Sequence, residues 1–242
     1  MPRPRRIGVT MRVVPGGDAP VRDVARAPRD ASLHDPRAPR DAPSRDPRAP
    51  RDLFPDDWRA TLAAILPDAA WWPLPNAGDA AVQRFAELRL DALVLAGGND
   101  LGSCPRRDHT ERSLLLHCAA RGIPVLGVCR GLQLVQRVFG GAIARAPQAH
   151  DAGRAHGIAV IDARARRLLG AERFTAPSYH RFGVPAGALA PALDAWAISD
   201  DGWVEMLAHA RLAIVAVQWH PERPLPCPEV ARRLLRGFAD AC

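Results

Sequence analysis

The sequence predicts an α/β fold, an open and mostly parallel doubly wound sheet with helices on both faces. Three observations carry this expectation. Strand-like and helix-like segments alternate along most of the chain, as βαβ units require. Pro124 to Val128 and Leu212 to Trp219 are nearly unbroken apolar runs, the composition of strands covered on both faces. The first run then passes through Gly127-Val128-Cys129-Arg130-Gly131 into Leu132, Val135, Val138 and Phe139 at helical spacing, stopped by Gly140-Gly141.

In chain order, strands are expected at Arg6 to Thr10, Trp71 to Leu74, Ala92 to Ala96, Pro124 to Val128, Ile158 to Ile161, Val204 to Leu207 and Leu212 to Trp219. Helices are expected over Asp56 to Leu66, Asp79 to Leu88, Thr110 to Arg121, Leu132 to Phe139 and Pro228 to Ala239. Asp108-His109-Thr110-Glu111 has the form of a capping box before the third helix. A chain of 242 residues is long enough for one such domain, spanning 1–242, with a substantial core.

One segment resists this pattern. Arg-Ala-Pro-Arg-Asp occurs at residues 26–30, 37–41 and 48–52, a strict period of 11. Proline interrupts helix and ladder alike, and almost no large apolar side chain is present to bury. Residues 19–52 therefore read as a low-complexity, largely disordered insertion between the first strand and the first helix. Its aspartates offset much of its charge and no aromatic residue interleaves, which favours a solvated loop over an RNA-binding arm.

Net charge is +7, and the pI is near 10.3. All 33 basic residues are arginine, however, and with abundant Ala and Pro this looks like a coding bias, so no nucleic-acid partner is expected. The five cysteines, Cys104, Cys118, Cys129, Cys227 and Cys242, form no regular framework, which points to a reducing cytoplasm. No CxxC pair or HExxH occurs and the histidines are scattered, so neither metal nor other cofactor is expected. Ile7 to Val14 is short and interrupted by Arg12, a first strand and not a signal peptide. No run is long enough to span a membrane, and no membrane partner is expected.

The strand–Cys–helix turn carries the chemistry. Small residues around Cys129 permit a nucleophile elbow with Cys in place of Ser, and a helix N-terminus favours its thiolate. Downstream, Gln218-Trp219-His220-Pro221-Glu222 follows the second apolar run. Side chains two apart on extended backbone share a face, so Glu222 can orient His220, and His220 can serve Cys129 as base. A buried core Cys and a satisfied strand-end His are the bland readings of each residue alone; the combination favours a Cys-His-Glu triad.

These segments, with Leu93-Val94-Leu95-Ala96-Gly97-Gly98-Asn99-Asp100, resemble the three signatures of the class I glutamine amidotransferase-like superfamily. The closer similarity is to its free-standing γ-glutamyl hydrolase branch (peptidase C26-like), in the same order from about Arg6 onward. The resemblance implies a flavodoxin-like sheet. It also implies Cys129 as nucleophile, His220 as base, Glu222 as orienting carboxylate, and an oxyanion hole from the amides of Gly98 and Arg130. Gly97, Gln133, Ser178, Tyr179 and His180 are implied as substrate contacts. Gln133 either holds the glutamyl amino-acid end or packs against the adjoining loop, and Ser178-Tyr179-His180 is either a pocket wall or an ordinary loop. Asn99-Asp100-Leu101, Arg107-Asp108 with Glu111, Ser178-Tyr179-His180, and Trp219 to Arg223 look like the γ-glutamyl-CDP-amidate hydrolases, which act in phosphoramidate modification of bacterial surface polysaccharide. Relatives that hydrolyse γ-glutamyl-γ-aminobutyrate carry His-His-Gln where this chain has Tyr179-His180-Arg181. Gln136 replaces an Asn usual in relatives, and its expected influence is on helix packing.

The expected activity is therefore hydrolysis of a γ-glutamyl amide through a γ-glutamyl thioester on Cys129, with a small-molecule substrate and no cofactor. Arginines near the pocket would suit an anionic nucleotide. A glutaminase subunit passing ammonia to a separate synthase partner is the alternative, and a non-catalytic binding module is a third reading, against which the intact triad speaks. A homodimer is compatible with the sequence.

Overall fold

The computed structural model describes residues 3–14, 50–147, 150 and 153–242. Its strands are β1 (Arg6–Thr10), β2 (Arg12–Val14), β3 (Arg51–Leu53), β4 (Ala70–Leu74), β5 (Ala92–Leu95), β6 (Val125–Val128), β7 (Ala144–Arg145), β8 (Arg154–Val160), β9 (Arg173–Ser178), β10 (Phe182–Gly183), β11 (Leu193–Ser199), β12 (Val204–His209) and β13 (Ile214–Val217). The helices are α1 (Asp56–Ile65), α2 (Asp79–Glu87), α3 (Pro105–Arg121), α4 (Arg130–Val138), α5 (Ala163–Leu169) and α6 (Pro228–Asp240).

Nine strands form one sheet in the order β4-β1-β5-β6-β13-β12-β11-β8-β9. From β4 to β13 every pairing is parallel, and from β13 to β9 every pairing is antiparallel. Only β12 and β8 run against the rest, so seven of the nine strands point the same way, the mostly parallel sheet expected. The sheet is doubly wound because successive strand residues face opposite sides. Ala92 and Val94 pack with Trp58 and Leu62 of α1 and Leu234 and Leu235 of α6 on one face. Leu93 and Leu95 pack with Phe85 of α2, Leu114 of α3 and Leu132 and Val135 of α4 on the other. No described helix is long and apolar enough to cross a membrane.

The register of the parallel half positions the site. Leu95 lies opposite Gly127 and Val128 opposite Val217, so β5, β6 and β13 end side by side. The residues just past their carboxyl ends are Gly97, Cys129 and His220, three distant positions converging at the edge where open α/β sheets place their sites. Two glycines allow α4 to seat this closely. A Cβ on Gly131 would stand 2.3 Å from the Leu95 carbonyl oxygen, and one on Gly127 would stand 2.8 Å from the Gly131 carbonyl carbon.

Two expectations need correction. The third helix begins at Pro105, because proline at the first helical position needs no amide donor there, and Asp108 and Glu111 therefore lie inside α3 and form no capping box. Asp108 instead accepts a hydrogen bond from the Gly102 amide at 2.8 Å. The insertion also ends earlier than residue 52. Residues 15–49 lie outside the described residues, but Arg51–Leu53 forms β3, paired antiparallel with β2. Asp52 anchors it by accepting from the Asn76 amide at 2.8 Å and pairing with Arg106 at 3.0 Å.

Candidate active site

Cys129 occupies the turn between β6 and α4 with φ +52° and ψ −101°, a conformation that favours glycine and costs a Cβ-bearing residue about 1–3 kcal/mol. The surroundings hold it there: its amide donates to the Val217 carbonyl of β13 at 2.8 Å, and its carbonyl accepts from the Gln133 amide of α4 at 3.3 Å. The side chain is 6% exposed at the positive end of the α4 dipole, where an anion is favoured. Arg130 is the first residue of α4, so its amide is one of the helix's orphan donors.

His220 follows β13, and its Nδ1 lies 2.6 Å from Glu222 Oε1. That contact leaves the other ring nitrogen for Cys129. Burial disfavours the imidazolium, but the Cys129 sulfur and the Glu222 carboxylate outweigh it and raise the His220 pKa to about 10. Helix α1 fixes the carboxylate's backbone through Thr61 Oγ1, which donates to the Glu222 carbonyl at 3.0 Å. The arrangement can sustain a thiolate–imidazolium pair oriented by a carboxylate, which is the equipment of acyl transfer.

Gly97 and Gly98 follow β5 directly beside this pair. A Cβ on Gly97 would approach His220 Cε1 to 2.7 Å, so only glycine leaves the imidazole its place. Gly98 sits at φ +121°, again a glycine conformation. Beneath the turn, Arg107 Nη2 donates to the Ala96 carbonyl at 2.7 Å and the Gly97 carbonyl at 2.9 Å. Its Nη1 donates to Asn99 Oδ1 at 3.0 Å, and its Nε to Glu111 Oε1 at 2.9 Å. Glu111 also accepts from Thr10 Oγ1 at 2.7 Å and pairs with Arg130, which in turn pairs with Asp108. Burial lowers Arg107 to about 10 and Arg130 to about 9, leaving both cationic at neutral pH and set against two carboxylates. The Arg130 side chain therefore points into this network.

The expected substrate contacts divide. Tyr179 is 41% exposed with its ring 5.8 Å from that of His220, and the Arg223 guanidinium stacks 4.3 Å above it. Ser178 turns inward, its hydroxyl donating to the His150 carbonyl at 2.6 Å. Gln133 is buried and donates to the Phe182 carbonyl at 2.7 Å, tying α4 to β10. His180 is buried too, with Nδ1 3.0 Å from the Phe182 carbonyl, and burial with the nearby His150 lowers its pKa to about 3. Gln136 bridges the Ala142 and Ala188 carbonyls at 3.0 and 2.6 Å, a packing role. A cavity of about 370 Å³ opens beside His220 and Glu222, lined by Arg12, Phe54, Trp58, Gly98, His220 and Arg223 among others. Sequence reasoning missed Arg12 and Trp58 as pocket walls and Thr10 as an anchor, because each reads locally as an ordinary strand or helix residue.

Comparisons with known proteins agree with this architecture. Residues 72–222 match the sequence profile of the Peptidase C26 family, a span that includes Gly97, Cys129, His220 and Glu222. The chain is 27% identical to the γ-glutamyl-CDP-amidate hydrolase of Campylobacter jejuni over 62% of its own length and 71% of that protein. It is 31% identical to anthranilate synthase component 2 of Mycobacterium tuberculosis over 64% of its length and 63% of that protein. Among solved structures, a provisionally assigned GMP synthase component of Thermoplasma acidophilum shares the fold at TM-score 0.66 and 18% identity, over 100% of this chain and 96% of the other. The chain belongs to the Peptidase C26 family, glutamine amidotransferase-like proteins that hydrolyse amide bonds.

Proposed function

We propose that the protein is a cysteine hydrolase that cleaves a γ-glutamyl amide through a covalent γ-glutamyl thioester. The observation that carries this is the junction of the Cys129 elbow with the His220–Glu222 contact at 2.6 Å. The Cys129 thiolate attacks the γ-carbonyl, and the amides of Gly98 and Arg130 receive the developing oxyanion. As the C–N bond breaks, the His220 imidazolium gives its proton to the leaving nitrogen. His220, now neutral, takes a proton from water, whose oxygen attacks the thioester and releases glutamate, restoring the thiolate–imidazolium pair. Glu222 holds the ring in the tautomer both steps need. Gly97 keeps space for that ring, and Tyr179, over the triad, is the substrate contact of the 178–180 segment.

The substrate favoured is γ-glutamyl-CDP-amidate, in phosphoramidate modification of surface polysaccharide within the cytoplasm. Its support is the likeness to the Campylobacter jejuni hydrolase and the two guanidinium groups, Arg12 and Arg223, that border the cavity beside His220. Arginines at that position suit a pyrophosphate leaving group. The likeness to an anthranilate synthase component favours a second reading, a glutaminase subunit that delivers ammonia to a synthase.

The test is glutamate release from γ-glutamyl-CDP-amidate, γ-glutamyl-γ-aminobutyrate and glutamine by the purified chain. Efficient turnover of the nucleotide conjugate alone is the expected result. Preference for the aminobutyrate conjugate would replace the substrate while leaving the chemistry. Glutamine turnover that rises only with an added synthase would establish the second reading.

A further inference from the structure

Four side chains scattered along the sequence meet in the antiparallel half of the sheet. His156 lies on β8, Glu205 on β12, His150 in the turn before β8, and His180 just past β9. One donor atom each from His150, His156 and Glu205 falls within 4.8 Å of the other two. The lack of any spaced metal motif predicts that the histidines do not cluster; in space they do.

The hydrogen bonds at the rim of the group set which lone pairs face its centre. His150 Nε2 lies 2.7 Å from Asp201 Oδ2, and Asp201 is held in turn by Ser199 Oγ at 2.6 Å. A carboxylate partner fixes Nε2 as the protonated nitrogen and leaves Nδ1 as a bare lone pair, the carboxylate–histidine arrangement found behind metal ligands. His180 is fixed in the opposite sense: Nδ1–H donates to the Phe182 carbonyl at 3.0 Å, so Nε2 carries the lone pair, 3.8 Å from Glu205 Oε1. His156 Nε2 lies 3.1 Å from Glu205 Oε1 without the alignment of a hydrogen bond. Among the described residues His150 Nδ1, His180 Nε2, both nitrogens of His156 and both oxygens of Glu205 are buried with no hydrogen-bond partner. Glu205 is completely buried, and His150 and His180 nearly so. An uncompensated carboxylate at that depth is strongly unfavourable. His150 and His180 offer it only lone pairs; His156, whose pKa Glu205 raises against the cost of burial, compensates it in part, but its ring is not aligned to donate.

We propose that His150, His156, His180 and Glu205 bind one divalent transition-metal ion of the zinc class. Three imidazoles and a carboxylate are borderline donors that suit Zn²⁺ in a four-coordinate site. Donors around a tetrahedral Zn²⁺, at about 2.0–2.1 Å from the metal, stand about 3.3 Å apart. The His156–Glu205 pair is already near that separation, His150 completes a set within 4.8 Å, and His180 Nε2, 3.8 Å from Glu205 Oε1, has to move in from outside that set. The ion is structural. His150 is tied to the 178–180 segment through the Ser178 hydroxyl and through the His180 amide, which donates to the His150 carbonyl at 3.0 Å. Clamping His150 and His180 to β8 and β12 therefore sets the position of Tyr179, whose ring lies beside His220. Metal binding at this cluster requires neither the substrate nor the reaction proposed above.

The test uses the full chain with Cys129→Ala, which removes the competing active-site thiolate, stripped with a chelator and titrated with Co²⁺ and Zn²⁺. One equivalent of metal per chain is expected. The Co²⁺ spectrum should be that of a four-coordinate N/O site without a thiolate charge-transfer band, and Zn²⁺ should raise the melting temperature. His156→Ala should weaken binding more than 100-fold, while Asp201→Asn, at a half-exposed position outside the cluster, should weaken it about 10–100-fold. If His156→Ala fails to fold, Asp201→Asn decides. Binding below one-tenth of an equivalent, a thiolate band, or affinity unchanged in Asp201→Asn would overturn the site.

Discussion

At the carboxyl ends of β5 and β6 the buried charges come as fixed ions of both signs, Arg107 and Arg130 against Glu111 and Asp108. In the antiparallel half the buried groups are His150, His156, His180 and Glu205, whose inward atoms are chiefly lone-pair acceptors facing one another. In the first arrangement opposite charges meet directly. Each guanidinium meets carboxylates, Arg107 meets two carbonyls as well, and the outcome is a rigid floor under the Gly97-Gly98 turn. In the second, Glu205 raises the pKa of His156 and so draws that ring toward a positive partner, but the ring is not aligned to donate and the remaining inward atoms are lone pairs. Burial alone therefore does not distinguish scaffold from binding site; the balance of donors and acceptors does.

The largest effect expected on the parallel half is chemical. Cys129→Ala should reduce glutamate release by about 10⁴-fold or more while near-UV circular dichroism stays native. Residual turnover at a tenth of wild type would remove Cys129 from the mechanism. The same variant tests the electrostatics. In the native chain the imidazolium persists until pH rises through about 10, so turnover should fall above that value. The sign follows from the raised pKa: any stability the His220 cation contributes is fully present below its ordinary value near 6.5 and is lost between there and about 10. With the Cys129 sulfur gone, the His220 resonances should titrate at lower pH; an unchanged midpoint in an NMR titration would deny the pairing.

Next in size comes the floor. Arg107→Ala leaves Glu111 buried and short of a partner and frees the Ala96 and Gly97 carbonyls, for an expected loss of about 3–5 kcal/mol in urea unfolding. A loss under about 1 kcal/mol would mean that the network is idle. Gly97→Ala places a methyl 2.7 Å from His220 Cε1, and a displaced imidazole should lower kcat about 100-fold with a smaller change in KM. An unaltered kcat would show that the turn yields freely.

The two halves are also unequally legible. β5, β6 and β13 announce themselves as contiguous apolar runs, the composition expected of strands buried on both faces. The elbow and the His220–Glu222 pair follow their strands immediately, so their chemistry sits in short motifs. By contrast β9 and β11 are interrupted by Pro177, Asp194 and several alanines, and α5 is rich in arginine; none produces a clear period. The start of α3 is hard to place because Pro105 opens a helix as readily as it breaks one. The metal-type cluster is invisible in the sequence for a topological reason: antiparallel pairing of β9, β8, β11 and β12 brings residues 150, 156, 180 and 205 to one place, and no linear spacing encodes that pairing. Tyr179 alone of the 178–180 segment is exposed, with its ring beside His220, a distinction that depends on which way each side chain turns off an irregular backbone.

The smallest expected effect isolates strain from chemistry at the elbow. Cys129 holds φ +52°, and both variants Cys129→Ala and Cys129→Gly abolish the thiolate. Alanine keeps the Cβ that makes this conformation unfavourable, whereas glycine adopts it freely but gains entropy in the unfolded chain. If the strain is held by the Cys129 amide's bond to Val217 and the close packing of Gly131 on Leu95, the conformational gain should win, with Cys129→Gly more stable than Cys129→Ala by about 1 kcal/mol. Equal or reversed stabilities in denaturant would mean that the turn relaxes once the sulfur is gone, so that the contact of the sulfur with His220, and not the packing of α4 against β5, holds Cys129 in its strained conformation.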